Sequence, residues 1–182
     1  MKKVIRLRVL LDFEENVFRD LELSCTDTFQ DLHNLIQEAF GFDNGQMASF
    51  YVSNEDWEKG QEITLMDMGE RSETGEPILM MNETALKDIV FDEGQKLLYV
   101  FDFFLMWCFY IDVISIKALD ETVITPRIIQ SFGDAPEQYS KSPEFNMDIE
   151  DVSENREDDL DEFKDMFDLL GSNEAYSDDR EY

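Results

Sequence analysis

The sequence is poor in cysteine and histidine, since its 182 residues include two Cys and one His. Cys25 and Cys108 form neither a CxxC pair nor a His/Cys ligand set, which excludes the common zinc and dithiol motifs and indicates reduced, structural thiols in a cytosol. The single histidine, His33, has no ligand partner at metal spacing. We expect it to face away from Leu32 and Ile36, at the surface or the edge of the core. We therefore predict no metal site and no cofactor.

Basic residues are also few, with 15 Lys and Arg against 43 Asp and Glu and a net charge of −28. Affinity for DNA or RNA comes chiefly from cations that neutralise phosphates, so we expect no direct nucleic-acid binding. A charge of this size serves solubility first, and attraction to a basic partner or mimicry of nucleic acid is the functional alternative. The chain also lacks a glycine-rich phosphate loop and a nucleophile elbow, so no enzyme class is indicated.

One apolar run, residues 97–116, has about the length of a membrane span, but Asp102 and Asp112 lie well inside it. Each mid-helix Asp opposes insertion by about 2.5 to 3.5 kcal/mol, and the run is rich in β-branched and aromatic residues. We predict two buried strands that break near 104–106, and no membrane association. The first residues contain no uninterrupted apolar stretch and no cleavage site, so we expect a cytoplasmic protein.

Hydrophobic periodicity predicts a mixed α+β domain. The predicted elements are strands over 4–13, 17–23 and 47–53, a surface excursion or hairpin over 54–75, a short strand over 77–81 and a helical turn over 84–89. A helix between the second and third strands is predicted from its apolar spacing, from a cap at Asp27 and Gln30, and from a terminating Gly41. The order strand, strand, helix, strand predicts a ubiquitin-like (β-grasp) half, extended by the strand pair of 97–116.

Charge divides the chain into a predicted domain, 1–141, and an acidic tail, 142–182, which holds 16 acidic and three basic residues. Within the tail, residues about 157–170 have the spacing of an acidic amphipathic helix that ends at Gly171. Its candidate partner-binding side chains are Leu160, Phe163, Met166, Phe167 and Leu170. Such a helix either folds back onto its own domain or docks in a groove of a partner, and both alternatives stay open.

Four stretches resemble the plasmid pRi-type ORF-three-like family and occur in the family's order. They are TFQDLHNLIQEAFGF (28–42), TALKDIVFDEGQKLLYVFDF (84–103), MWCFYIDV (106–113) and FGDAPEQY (132–139). The resemblance covers about residues 4–139. That family is largely uncharacterised and is also found as a passenger protein encoded by an insertion element. The resemblance implies an α+β, ubiquitin-like arrangement.

The resemblance is most specific in the strand pair, where the family pattern is Tyr-x-Asp-Phe-Gly-Asp-x-Trp-x-His and x stands for any residue. Here Asp102, Phe103 and Trp107 keep their places, while Phe104 replaces the glycine, Leu105 the second acid and Phe109 the histidine. An acid and a histidine on adjacent strands could share a proton, bind a metal or polarise a water, and their replacements can do none of these. A later Pro-Pro-Glu-Asp element survives only as residues 135–138. This chain therefore resembles a degenerate member, unless the family pair was always structural.

Two functional hypotheses follow. The favoured one is a non-enzymatic protein-interaction module whose acidic helix engages a basic or groove-bearing protein. The alternative is a degenerate or divergent enzyme or metal-binding protein, with a remnant pocket around Asp102, Trp107 and Glu137. For Asp102 we favour a structural role, in which the carboxylate caps a turn and has its hydrogen-bond partners nearby, over the role of a remnant acid of a family pocket.

Overall fold

The computed structural model describes residues 2–43, 45–66, 77–120 and 122–141, all within the unit spanning residues 1–144. The strands are β1 (Lys2–Leu11), β2 (Val17–Ser24), β3 (Ala48–Ser53), β4 (Lys59–Thr64), β5 (Leu79–Met80), β6 (Lys96–Phe101), β7 (Trp107–Leu119) and β8 (Arg127–Phe132). One α-helix, α1 (Phe29–Phe40), and a short 3-10 turn (Leu86–Asp88) complete the elements of the described residues. The predicted tail helix at about 157–170 and its candidate partner-binding side chains lie outside the described residues.

All eight strands form one sheet in the order β5-β4-β3-β6-β7-β1-β2-β8, in which only the β4–β5 pair is parallel. The ubiquitin-like prediction is therefore wrong. The order strand, strand, helix, strand does occur along the chain, but β6 and β7 lie between β1 and β3, and β4, β5 and β8 extend the two edges. Periodicity identifies which face of a strand is buried, and it carries no information on which strands become neighbours.

The core lies between α1 and one face of the sheet, here called the inner face. Alternation in β1 places Ile5 and Leu7 on this face, both fully buried, and Arg6 between them on the outer face. Aromatic rings fill the layer under the helix: Phe29 contacts Phe50 with ring centroids 5.2 Å apart. Because a single helix covers the sheet in the described residues, the fold leaves polar and apolar side chains on the outer face.

Helix α1 begins and ends with conventional caps. Thr28 is the N-cap: its hydroxyl accepts a hydrogen bond from the Asp31 amide, and the Asp31 carboxylate accepts one from the Thr28 amide. The predicted cap at Asp27 and Gln30 is wrong by one residue, because Asp27 instead caps the preceding turn by accepting the Ser24 amide. Gly41 ends the helix in the left-handed conformation, as predicted, with a φ of 71°.

His33 is 1% exposed, so its predicted position at the surface or core edge is wrong. It lies on the buried side of α1 against the sheet, where its Nδ1 is 2.7 Å from the Tyr99 hydroxyl. Gln37, one turn further along, donates to the same hydroxyl at 2.8 Å. A polar side chain can occupy an inward helical position when a buried partner satisfies it, and the partner here comes from a strand distant in sequence.

The apolar run 97–116 forms two antiparallel strands, β6 and β7, as predicted. The break between them is a turn over 102–106. Asp112, one of the two acids that opposed a membrane span, pairs with Lys96 on the neighbouring strand at 2.8 Å. Among the described residues, no helix is long and apolar enough to cross a membrane.

Ion pairs tie three strands together on the outer face. The nearly buried Glu22 carboxylate on β2 accepts hydrogen bonds from Arg6 on β1 and from Arg127 on β8, at 2.7 and 2.6 Å. Asp20 accepts a bidentate pair from Arg8. These acids are therefore already paired within the fold.

Candidate functional site

Four connecting segments meet at one end of the sheet, here called the tip: residues 12–16, 41–43, 102–106 and 133–141. Ring contacts and hydrogen bonds hold them together. The Phe13 ring lies 6.3 Å from the Trp107 ring, and the Phe42 ring lies 5.3 Å from it. The Lys141 ammonium donates to the Met106 carbonyl at 2.8 Å. The tip therefore gathers the strand pair and the late element that carry the family resemblance.

Asp102 organises the turn between β6 and β7. Its Oδ1 accepts the amides of Phe104 and Leu105 at 3.0 and 3.1 Å, and the Met106 amide donates to its carbonyl at 2.6 Å. The residue is 4% exposed and has a φ of 57°, in the left-handed region that Asp and Asn tolerate best after glycine. This geometry is the turn cap that the sequence analysis favoured for this carboxylate.

Trp107 is fully buried at the start of β7 and anchors the segment 133–141, here called the closing segment. Its indole N–H donates to the Gln138 carbonyl at 2.9 Å. The Lys141 ammonium lies 5.3 Å from the centre of the indole ring. Trp107 thus has a structural partner for its polar atom, as buried tryptophans usually require.

Asp43 locks the closing segment to the loop after α1. Its carboxylate accepts the Tyr139 hydroxyl at 2.6 Å, the Gln138 side-chain amide at 3.2 Å and the Gly45 amide at 3.0 Å. The Gln138 side-chain oxygen in turn accepts the Asp43 amide at 2.6 Å. The bond from Tyr139, followed by those from Gly45 and Gln138, lowers the pKa of Asp43, and the same bond to Asp43 raises the pKa of Tyr139.

Arg19 fixes where the closing segment begins. Its buried guanidinium donates to the carbonyls of Ala39, Phe132 and Gly133 at 2.8, 2.9 and 3.2 Å, which joins the end of α1 to the end of β8. Gly133 has a φ of 74°, and a Cβ added there would lie 2.5 Å from the Asn16 carbonyl oxygen. Glycine is therefore required where this segment passes the β1–β2 turn.

Part of the tip surface is apolar. Besides Tyr139, whose hydroxyl binds Asp43, four large apolar side chains are exposed there: Phe104 at 65%, Phe13 and Met106 at 42% each and Phe103 at 40%. We call these four residues the tip patch. The turn that carries three of them is anchored from below by Leu105, which is 8% exposed. Exposed apolar groups concentrated at one place mark interaction surfaces more often than singly scattered ones do.

The predicted remnant-pocket residues meet only in part. Asp102 and Trp107 lie at the two ends of the same turn. Glu137 is on the closing segment, where its side chain is exposed and its carbonyl accepts from Ser140. Asp43 and Tyr139 were not predicted from the sequence, although Tyr139 lies in a stretch that carried the family resemblance.

The two positions where the family has an acid and a histidine are filled here by core residues. Leu105 and Phe109 are both buried, and the Phe109 ring lies 5.0 Å from Phe40 and 5.4 Å from Tyr99. Across the described ranges, no three His, Cys, Asp or Glu side chains are grouped closely enough to hold a metal ion. The tip therefore offers apolar side chains for contact, with exposed acidic side chains around them.

The family model described as "Plasmid pRiA4b ORF-3-like protein" matches residues 3–180. The chain belongs to this family. The match extends beyond residues 4–139, where the sequence resemblance was recognised. A crystal structure of a protein of unknown function from Methanosarcina mazei Go1 is similar to this ORF-3-like chain, with a TM-score of 0.65 and 17% identity over 96% of this chain and 85% of that one. At this identity the likeness concerns the fold alone. No protein of curated function matches the chain significantly.

Proposed function

We propose that this ORF-3-like protein is a non-enzymatic protein-interaction module that binds its partner through the tip patch. The observation that carries the proposal is the exposure of four large apolar side chains, Phe13, Phe103, Phe104 and Met106, at one end of the sheet. Full burial of a completely exposed large apolar side chain contributes about 1.5 to 3 kcal/mol, and these side chains, which are already half buried, can each contribute about half of that. The patch can therefore supply the apolar centre of a protein interface.

Preorganisation supports the same proposal. The Asp102 carboxylate holds the turn from within, and the closing segment braces it through Lys141 and Trp107. A surface held in one conformation loses little conformational entropy when a partner binds. The aromatic side chains of the turn are thus presented on a fixed backbone.

The acids of the tip support binding over catalysis. A general acid or base works best when its pKa lies near the operating pH, which for a carboxyl group means a raised pKa. Asp43 accepts three hydrogen bonds from its own fold, which lower its pKa, and Asp102 accepts two backbone amides. Both carboxylates therefore hold segments of the tip together, Asp43 through two side chains and one backbone amide and Asp102 through two backbone amides.

The test compares two phenylalanines of equal exposure. Phe104 is 65% exposed in the tip patch, and Phe91 is 66% exposed in a different loop. Full-length wild type, Phe104→Ser and Phe91→Ser are used as bait in extract of the source organism, and each captured protein is then purified and titrated by calorimetry. We expect a saturable partner that binds wild type and Phe91→Ser alike and binds Phe104→Ser about tenfold or more weakly.

Two results would overturn the proposal. One is a partner whose affinity falls equally in both variants, and the other is a partner that neither variant affects. Circular dichroism and urea unfolding of both variants verify that each remains folded, because a Phe→Ser change at an exposed position alters stability by only about 0.5 kcal/mol.

A further inference from the structure

The apolar patch at the tip is surrounded by acids. Among the described residues of the tip, the exposed acidic side chains are Asp12, Glu14, Glu15, Asp43, Asp134 and Glu137, and the single basic residue is the partly buried Lys141. Lys141 is already held by the Met106 carbonyl and the Trp107 ring. We call these six acids the acidic rim. The tip therefore carries a clear excess of negative charge.

The rim differs from the acids on the outer face of the sheet. Glu22 and Asp20 are nearly buried and form ion pairs with Arg6, Arg8 and Arg127. None of the rim acids forms a salt bridge with another described residue. An incoming cation would have to compete with an arginine on the outer face. At the tip it meets carboxylates that form no salt bridge within the described residues, although Asp134 interacts electrostatically with the buried Arg19.

Given the proposed function, on which this step rests, we infer that the partner presents a basic, amphipathic segment. Its apolar side chains cover the tip patch, and its Lys or Arg side chains lie over the rim, which includes Glu14 and Glu15 directly after Phe13 in the β1–β2 turn. Apolar contact supplies most of the affinity. The rim accelerates association, excludes acidic competitors and sets the orientation of the segment. The acidic stretch 157–170 has the wrong sign for this role.

The test uses the full chain and three synthetic peptides of equal length. The first is a basic amphipathic helix of Lys and Leu, the second replaces each Lys by Glu, and the third replaces each Leu by Gln while keeping the Lys. We expect saturable binding of the first peptide, no binding of the second, and binding of the third at least about tenfold weaker, because it lacks the apolar anchors.

Variants locate the site. Phe104→Ser should weaken binding of the first peptide about tenfold, and Phe91→Ser should leave it unchanged. The double variant E14Q/E15Q should weaken it about threefold to tenfold and slow association at low salt. Its matched control is D88N/D92N, which removes two exposed acids elsewhere and changes the net charge equally. The control should leave affinity nearly unchanged.

The outcomes separate this inference from the proposed function. If the Glu peptide binds in a Phe104-dependent manner, the tip remains the binding surface and the inferred partner chemistry is wrong. If Phe104→Ser and Phe91→Ser behave alike with every peptide and every captured partner, both fail. If the Lys-Gln peptide binds as tightly as the Lys-Leu peptide, net charge alone explains binding, and the inference is overturned. If ultracentrifugation shows a dimer that Phe104→Ser dissociates, a second copy occupies the patch instead.

Discussion

His33 Nδ1 lies 2.7 Å from the hydroxyl of Tyr99, and both side chains are buried between α1 and the sheet. Burial lowers the pKa of His33 from 6.5 to about 4 and raises the pKa of Tyr99 well above its usual value. The imidazole is therefore neutral in the folded protein at physiological pH. This buried pair joins α1 to β6.

The first prediction concerns pH. Because the unfolded chain binds a proton at His33 near pH 6.5 and the folded protein only near pH 4, stability contributed by this residue is complete above pH 6.5. It is lost as the pH falls from 6.5 towards 4, by about 3 kcal/mol at most. Urea unfolding of wild type and His33→Gln across this range measures the effect. Equal pH slopes for the two proteins would contradict it.

The ion pair on Glu22 gives a second prediction. Burial works against the charged form of this carboxylate, but hydrogen bonds from Arg6 and Arg127 more than offset burial and lower its pKa. Glu22→Gln keeps the shape and removes the charge that joins β1 to β8. We expect a loss of about 1 to 2 kcal/mol in the free energy of unfolding, since the guanidinium groups are half exposed. Glu38→Gln, an exposed change on α1, should be nearly neutral.

Asp102 gives a third prediction, which separates the turn cap from a remnant metal ligand. Asn keeps an acceptor oxygen and tolerates the φ of 57°, whereas Ala loses the acceptor and is strained there. We expect Asp102→Ala to destabilise the protein by about 2 kcal/mol and Asp102→Asn by clearly less. Thermal midpoints with and without Mg²⁺ or Mn²⁺ provide the measurement. An ion-induced rise in wild type that disappears in Asp102→Asn would favour the metal-binding alternative.

Gly133 gives a fourth prediction. Gly94→Ala meets no atom within 4 Å, so its positive φ alone should destabilise the protein by about 1 kcal/mol. Gly133→Ala has a similar φ, and its Cβ would also lie 2.5 Å from the Asn16 carbonyl oxygen. We expect the Gly133 variant to lose at least about 1 kcal/mol more in urea unfolding, because the closing segment must shift. Equal losses in the free energy of unfolding for the two variants would contradict this prediction, since they would mean that the closing segment shifts without a measurable cost.

The sequence predicted local elements better than their arrangement. Alternation identified β1 and β2, apolar spacing and Gly41 identified α1, and the two acids of the run 97–116 correctly argued against a membrane span. Strand β8 was not predicted: its six residues are mostly exposed on an edge, so they have little hydrophobic pattern. The neighbours of each strand depend on contacts between distant segments, such as Ala48 opposite Phe101, and no local pattern encodes these.

The candidate site was predicted only in part, again because local sequence patterns do not encode contacts between distant segments. Asp102 and Trp107 attracted attention because an acid and an indole are unusual within an apolar strand pair. Asp43 and Tyr139 are unremarkable in the sequence, and their bond exists because the closing segment returns to the loop after α1. The predicted break near 104–106 placed Phe104 in a connection, but the apolar run around it gave no sign of which of its side chains would be exposed. Only the turn conformation directs Phe104 to solvent.

The most direct test of the tip as a binding surface is amide hydrogen exchange of the full-length protein, alone and saturated with its purified partner. Binding at the tip predicts slower exchange in residues 102–106 and 12–16, with little change along the outer face of β1 and β2. Protection confined to another surface, or to residues 157–170, with unchanged exchange at 102–106, would contradict it.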